Sequence, residues 1–547
     1  MFVLKTLGEF TKPDPTLFDG PMKVLVSMTF GSRSHIKNVL EIGKTLQERG
    51  HAVSYMAIDP YLKFADGFNF TRHCVGPKGL EIDDHRGISE INQTPVNPFL
   101  DTVEALIENL PIIYRLTMED ILKVVDDTSP DVIVCDFFSP SCIDAAYHRK
   151  IPLITGFQTL DGPMLPPPYI TGPLSYLPTS SDELSFPMRF YSSIIHPATI
   201  IPRFLVLNNK LNIQRAQFGI ETTSFANVGN WDNSLKLYNT FIGFEAARPI
   251  EPSVRLVGPI MSDDFAPLTA ELQSFLNTKQ RVLYIAFGSG VILSEKDVQL
   301  LFQAAIQLID RDRTDGVVWA LGKTPRSMFS SIQDKGVCSY DLLDNMHPRI
   351  QFIDWAPQVA ILSHKAVRVF LSHGGLESVF EAAYSGTPIM TMPFFGDQYR
   401  NARKVVEMGF GGYTDRFTHT TQSVYQGLDA MLTDSDGSIA KAILHWQAIA
   451  RMNAKRKTEA ANIVEEYVLT SRFCRQNPNV GKDGFPCEIS HLIPGYSKMN
   501  PIIAYGADVF IFLLLLLLLT TIPLFLFVRS MARSFFIPRP DIVKKQQ

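Results

Sequence analysis

Two groups of residues in this chain have the types and spacing to do chemistry together. The first lies between Trp355 and Gln398 and contains Trp355, Gln358, His373-Gly374-Gly375, Ser378, Glu381 and Asp397-Gln398, in that order. An indole face stacks on a flat base, and a carboxamide both donates to and accepts from a pyrimidine edge. Two glycines let a backbone turn closely into a helix, whose first turn offers free N–H groups and partial positive charge to an anion. His373 and Ser378 add an imidazole and a hydroxyl, a set that suits a diphosphate. Gly288-Ser289-Gly290, at the end of another apolar run, can supply further donors to the same group. Glu381 stands three residues after Ser378 on the same helix face, where a carboxylate can accept from both hydroxyls of a ribose. Asp397-Gln398 follows "MPFFG" and puts acceptors and donors where sugar hydroxyls would lie. Taken singly, a strand-end histidine is more often structural and a lone tryptophan more often core. The order of base, phosphate, ribose and sugar groups along one short stretch is hard to assign to chance.

The second group is a pair. His35 opens the helix after the apolar run "KVLVSMTF", and Asp136 ends the run "VIVCD". Strand-end residues of one parallel sheet can meet over its carboxyl edge. A buried aspartate accepting from one imidazole nitrogen fixes the tautomer and makes the other nitrogen a better base. A surface histidine and a capping aspartate would look the same in sequence.

These residues need a scaffold that gathers strand ends. Lys23 to Ile58 reads as strand, amphipathic helix and strand, the helix being closed by Gly50. "DVIVCDFF", "CIDAAYHRKI" and "PLITGF" continue the alternation. From Gln158 to about Arg203 the pattern loosens into a proline- and aromatic-rich stretch. It reads either as a long irregular connection with some core helix or as the wall of an apolar acceptor pocket leaning on the membrane. After Val254 a second alternation begins: "RVLYIAFGSG", "EKDVQLLFQAAIQLID", "GVVWAL", "IQFIDWAP", "VRVFLSH", the helix "LESVFEAAYS" ended by Gly386, then "PIMTMPF". The expected fold is α/β, with two Rossmann-like domains facing across a cleft. The divisions are an N-terminal segment 1–22, a first domain 23–253, a linker 254–272, a second domain 273–420, helices 421–470 packing back, and a juxtamembrane stretch 471–508.

Val509 to Val528 is an uncharged apolar run. As a helix rising ~1.5 Å per residue it spans ~30 Å, the thickness of a bilayer core, so a single transmembrane helix is expected. The tail 529–547 carries Arg529, Arg533, Arg539, Lys544 and Lys545 against Asp541, which places it in the cytosol. The terminal "KKQQ" resembles a dilysine retrieval signal of the endoplasmic reticulum. Met1 to Met22 shows no apolar run of signal-peptide length, which leaves open the side on which the large domains lie. A formal net charge of −4 excludes a basic nucleic-acid-binding surface. Six cysteines are too scattered for a disulfide framework or a zinc site, although Cys474 and Cys487 are placed to pair or to stay free thiols.

Trp355, Gln358, "HGG" at 373–375, Ser378, Glu381-Ala382, "GTP" at 386–388 and "DQ" at 397–398 resemble the signature of UDP-glycosyltransferases of the glucuronosyltransferase/glucosyltransferase type. "VGPI", "YIAFGSG" and the C-terminal span fit the membrane-bound branch, and the similarity runs from about Lys23 to the end. The resemblance implies a GT-B architecture and transfer of a hexose or hexuronic acid, with inversion, from UDP-glucose or UDP-glucuronic acid. The acceptor would be a lipophilic hydroxyl compound: a sterol, sphingolipid, phenol or xenobiotic. It implies His35 as base, Asp136 as its orienting acid, and Ser289, Trp355, Gln358, His373, Gly375, Ser378, Glu381, Asp397 and Gln398 as donor contacts. No cofactor and no metal are implied, and a homo-oligomer is compatible with it. The Asp-x-Asp triplets at 310–312 and 434–436 read as solvated loops. Glu377 departs from the asparagine or glycine of many members; an acid beside a diphosphate is expected to face away. A UDP-sugar epimerase or hydrolase of the same fold, and a non-catalytic UDP-binding membrane scaffold, are the competing readings. The apolar middle of the first half argues against the former and the His35/Asp136 pair against the latter.

Overall fold

In the computed structural model, the described residues are 20–80, 98–160, 169–171, 180–223, 230–322, 324, 326–330, 345–476, 486–494, 499–504 and 506–536. Most of the N-terminal segment 1–22, part of the proline-rich stretch after Gln158, Cys338 and the dilysine end of the tail lie outside them.

The chain forms two parallel sheets. The first has seven strands in the order β3-β2-β1-β4-β5-β6-β7. They are β1 (Lys23–Met28), β2 (Ala52–Ala57), β3 (Thr71–Cys74), β4 (Val132–Asp136), β5 (Leu153–Phe157), β6 (Leu235–Tyr238) and β7 (Val254–Leu256). The second has six, β10-β9-β8-β11-β12-β13. They are β8 (Val282–Ala286), β9 (Gly316–Ala320), β10 (Ile350–Ile353), β11 (Val367–Ser372), β12 (Ile389–Thr391) and β13 (Gly411–Tyr413). Helices cover both faces, so β4, β5 and β8 are buried along their whole length. That is why they read as unbroken apolar runs rather than alternating ones. This is the expected pair of Rossmann-like domains, the GT-B arrangement.

The helices that matter for the site are α1 (Arg33–Glu48), α2 (Pro98–Thr128), α3 (Pro140–His148), α4 (Phe186–Gln217), α5 (Ala270–Asn277), α6 (Glu295–Asp310), α7 (Gln358–Leu362), α8 (Leu376–Ser385) and α9 (Gln398–Glu407). After them come α10 (Thr421–Thr433), α11 (Ser438–Asn453), α12 (Lys457–Gln476) and α13 (Ala507–Phe536). As the sequence indicates, α8 ends at Gly386, a left-handed C-cap with φ 80°.

One expected boundary is corrected. Val254–Leu256 is not linker but the seventh strand of the first sheet, with Val254 in register with Lys236. Three residues ahead of a Gly-Pro pair are too few to register as a strand in sequence. The helices after residue 420 pack on both domains. Val424, Tyr425 and Leu428 of α10 complete the second domain's core. By contrast α12 crosses back to α1, where Glu465 takes Arg49 at 2.6 Å and His51 at 2.9 Å. The loosened stretch before Arg203 contains the start of α4. Leu207 and Leu211 of α4 are buried, while Phe186, Phe190, Tyr191, Ile194 and Ile195 are exposed.

The run 509–528 lies within α13, and the apolar side chains of that run are exposed. A second helix, α4, also has the length and composition to cross a bilayer. Its inner face packs in the first domain's core, which marks it as a domain helix with an apolar outer face.

The cysteine reading is also corrected. Besides Cys474–Cys487, Cys135 and Cys142 form a disulfide, and Cys74 is free. A strand, a turn and a helix start bring Cys135 and Cys142 to a Cα separation of 6.0 Å, and that bridge braces the strand end that carries Asp136.

Candidate active site

In each sheet the strand order reverses between the first and fourth strand in sequence, β1 and β4 in one and β8 and β11 in the other. The crevice at such a switch point is where doubly wound sheets take ligands. His35 follows β1 and Asp136 ends β4; Gly288-Ser289-Gly290 follow β8 and His373 follows β11. The fold therefore brings both groups to the carboxyl edges of their sheets. The edges face one another across a cleft of about 1880 Å³, lined by residues of both domains.

On the first domain's wall, His35 Nδ1 stands 3.6 Å from Asp136 Oδ2. That is ion-pair range and slightly long for a hydrogen bond. Among the described residues neither atom has another hydrogen-bond partner, so nothing competes with their closing together. Asp136 is fully buried, and its Oδ1 accepts from the Phe138 backbone N–H at 2.9 Å, which fixes the carboxylate's orientation. The imidazole stacks on Phe137, ring centroids 5.7 Å apart. Gln158 Nε2 donates to the His35 carbonyl at 2.8 Å and pins the start of α1. Burial works to lower His35, but Asp136 and, more weakly, Asp397 and Glu377 outweigh it and raise it above its ordinary value.

On the opposite wall, the glycines make room for His373. A methyl at Gly375 would lie 2.4 Å from His373 Nε2, and one at Gly288 would lie 2.8 Å from its Cε1. Gly288 also has φ +71°, a left-handed value that suits only glycine well. Burial pushes His373 down to about 4, so its ring is neutral at physiological pH and can donate without carrying charge. Gly375 caps α8, and Ser378 sits in the first turn.

Glu381 belongs to a network. Gln358 Nε2 donates to Glu381 Oε2 at 2.7 Å and to Ser378 Oγ at 3.1 Å, and Tyr284 Oη donates to Gln358 Oε1 at 3.0 Å. Trp355 is 71% exposed and lines the cleft, so it is not a core residue. Ser289 lies exposed on the same rim. Asp397 caps α9 and accepts from Asn401 at 2.7 Å. Gln398 is buried, and its Oε1 already accepts from the Phe394 and Phe395 backbone at 2.8 and 3.2 Å. Its carbonyl thus shapes the loop, and only its amide donors remain for a ligand.

Two features escaped the sequence reading. Glu377 does not face away: its carboxylate points across the cleft to Lys37 Nζ at 2.5 Å. Lys37 also reaches Glu381 at 3.0 Å. A lysine on an amphipathic helix reads as solvated, and nothing local reveals a partner some 340 residues away. The Asp-x-Asp triplets lie away from the cleft, with Asp312 pairing with Arg281 and Asp434 capping α11.

The apolar end of the cleft is formed by Ile201, Phe204, Leu207 and Leu211 of α4 together with Phe137 and Trp231. The cleft exceeds the usual size for one small ligand and has a polar and an apolar half, which suits two substrates side by side.

A family model described as "UDP-glucoronosyl and UDP-glucosyl transferase" matches residues 23–451. A UDP-glycosyltransferase of Talaromyces amestolkiae is 28% identical over 464 residues, covering 81% of this chain and 86% of that protein. Human UDP-glucuronosyltransferase 1A3 is 23% identical over 444 residues, covering 75% of this chain and 76% of its own. Among solved structures, the kitacinnamycin glycotransferase superposes with a TM-score of 0.57 at 16% identity, covering 81% of this chain and 98% of its own, a likeness of fold alone.

Proposed function

This chain belongs to the UDP-glucuronosyl and UDP-glucosyl transferase family, transferring sugar from a UDP-sugar; from that premise we propose that it moves a hexose or hexuronic acid, with inversion, to the hydroxyl of a lipophilic acceptor. The observation that carries this is the cleft itself. A polar wall suited to a nucleoside diphosphate faces the His35–Asp136 pair, and an apolar chamber opens beside that pair.

In this reading the uracil stacks on Trp355, and the ribose hydroxyls donate to Glu381. The diphosphate rests on the α8 N-terminus with Ser378, Ser289 and neutral His373 as donors. His35 Nε2 takes the proton of the acceptor hydroxyl as its oxygen bonds to the anomeric carbon. The bond from that carbon to the diphosphate oxygen breaks, and its electron pair leaves with UDP. The N–H and O–H donors face the oxygen on which charge grows, the kind of preorganised stabilisation that lowers such barriers. Attack from the side opposite the leaving group inverts the anomeric centre. Asp397 and the amide of Gln398 hold the sugar, and no metal or cofactor is needed.

The acceptor class rests on α4, whose inner residues line the chamber while its outer apolar face is exposed. An acceptor dissolved in a bilayer would find that helix beside the entrance. We place the protein in the endoplasmic-reticulum membrane as a single-pass protein with its tail in the cytosol and the two sheets in the lumen. The pairs Cys135–Cys142 and Cys474–Cys487 favour the oxidising side.

The full chain, solubilised in detergent, would be given UDP-glucose or UDP-glucuronic acid with a panel of sterols and phenols in EDTA. The expected result is a glycoside of inverted anomeric configuration with one of the donors. Retained configuration, or activity abolished by EDTA, would overturn the mechanism. A second expectation concerns Gly375→Ala. Its methyl displaces His373, and losing one hydrogen bond to a charged group costs about 1.5–3 kcal/mol, so UDP affinity falls by roughly tenfold or more. Calorimetric titration with UDP measures this; unchanged affinity would remove His373 from the diphosphate site.

A further inference from the structure

We propose that Lys37 is a positioning residue for the donor, cancelling the charge of Glu377 beside the diphosphate site and holding Glu381 until a ribose takes it over. The inference rests on the UDP-sugar reading above.

Glu377 stands in the first turn of α8, where helix N–H groups and the dipole favour an anion. Its carboxylate acts electrostatically on both His35 and His373, so it looks into the cleft from which a diphosphate must approach. Left alone, it would compete with the phosphates for the helix terminus and repel them. Lys37 comes from α1 of the other domain and meets Glu377 Oε1 at 2.5 Å and Glu381 Oε1 at 3.0 Å. Burial works to lower the Lys37 ammonium, yet the two carboxylates hold it above its usual range. It therefore stays charged through every pH at which the family chemistry runs.

The two contacts have different fates when a donor binds. Glu381 is buried, with its other oxygen held by Gln358 at 2.7 Å, so its Lys37-facing oxygen is the one a ribose hydroxyl can claim. Lys37 then gives up the 3.0 Å contact and keeps the 2.5 Å one. No charge is stranded at either stage, which is the condition for a buried ion pair to change partners cheaply. Because Lys37 and Glu377 sit on different domains, the pair also fixes the cleft width at the donor, and it places His35, two residues away on α1, opposite α8.

The test uses the full chain in detergent, titrated calorimetrically with UDP and assayed for donor kinetics, as wild type, Lys37→Met, Glu377→Gln and the double variant. Melting curves establish folding. Lys37→Met leaves an uncompensated acid and should raise the UDP Kd and donor KM by ~10-fold or more, with kcat within about threefold. The double variant should return both to within about threefold of wild type, and Glu377→Gln alone should bind UDP at least as tightly as wild type. Wild-type-like affinity in Lys37→Met, or a double variant as weak as Lys37→Met, would overturn the proposal. So would weaker UDP binding in Glu377→Gln, which decides the matter even if Lys37→Met does not fold. A wild-type chain that binds no UDP would instead refute the underlying donor reading.

Discussion

Replacing His35 with alanine is expected to lower kcat/KM for the acceptor by about 10²–10⁴-fold, the usual worth of a positioned general base, while UDP affinity changes little. The two readouts separate because His35 stands on the first domain's wall, whereas Trp355, Gln358, His373, Ser378 and Glu381 stand on the second's. An acceptor hydroxyl is far too weak an acid to lose its proton unaided at neutral pH, so removing the base acts on the transition state. Alanine also vacates the ring packed on Phe137 and Phe138, so melting curves must accompany the assay. Phenolic acceptors ionise more readily than sterols, and the loss should be smaller with them. Activity undiminished in the variant would assign the proton to another group. A parallel loss of UDP affinity would mean that the substitution had disturbed the domain interface.

How far the sequence revealed this site depends on how local each signal was. The candidate donor wall is legible because most of its groups sit at the ends of successive strands and helices in one unit, β10 through α9, where spacing alone places them. Gly386 could be read as a helix stop because a left-handed C-cap has a strong residue preference. The His35–Asp136 pair was legible as a candidate because both residues end or follow buried strands, but only the sheet order makes β1 and β4 neighbours. Lys37, Glu377 and Tyr284 were beyond the sequence, since what they do depends on contacts between elements far apart in the chain. β7 was lost for a related reason: its three residues are a strand only because β6 lies beside them. The Cys135–Cys142 bridge is hidden in the scattered spacing of the cysteines, because only the turn after β4 brings the two together.

Asp136→Asn is expected to change the pH profile as well as the rate. The introduced amide would keep an Oδ1 that accepts from Phe138 N–H, so the turn is preserved. Its other end would present N–H to His35 Nδ1 in place of a carboxylate oxygen. That favours the tautomer with its proton on Nε2, the nitrogen that must accept from the substrate. The rate at the plateau should therefore fall by roughly 10²–10⁴-fold. The acid limb should move in the opposite sense to a simple loss of base. In the native site burial works to lower His35 and Asp136 is the strongest influence raising it, with Asp397 and Glu377 adding less. Because the base works only when neutral, the native acid limb of kcat/KM should lie above the ordinary histidine value. Without the Asp136 charge, burial is less opposed, the neutral form is reached at lower pH, and the limb shifts down. A pH series of kcat/KM for both proteins checks this. A plateau that falls with an unmoved limb would mean that the group titrating in the acid limb is not His35, and a limb that shifts upward would contradict the charge coupling that the buried Asp136 imposes.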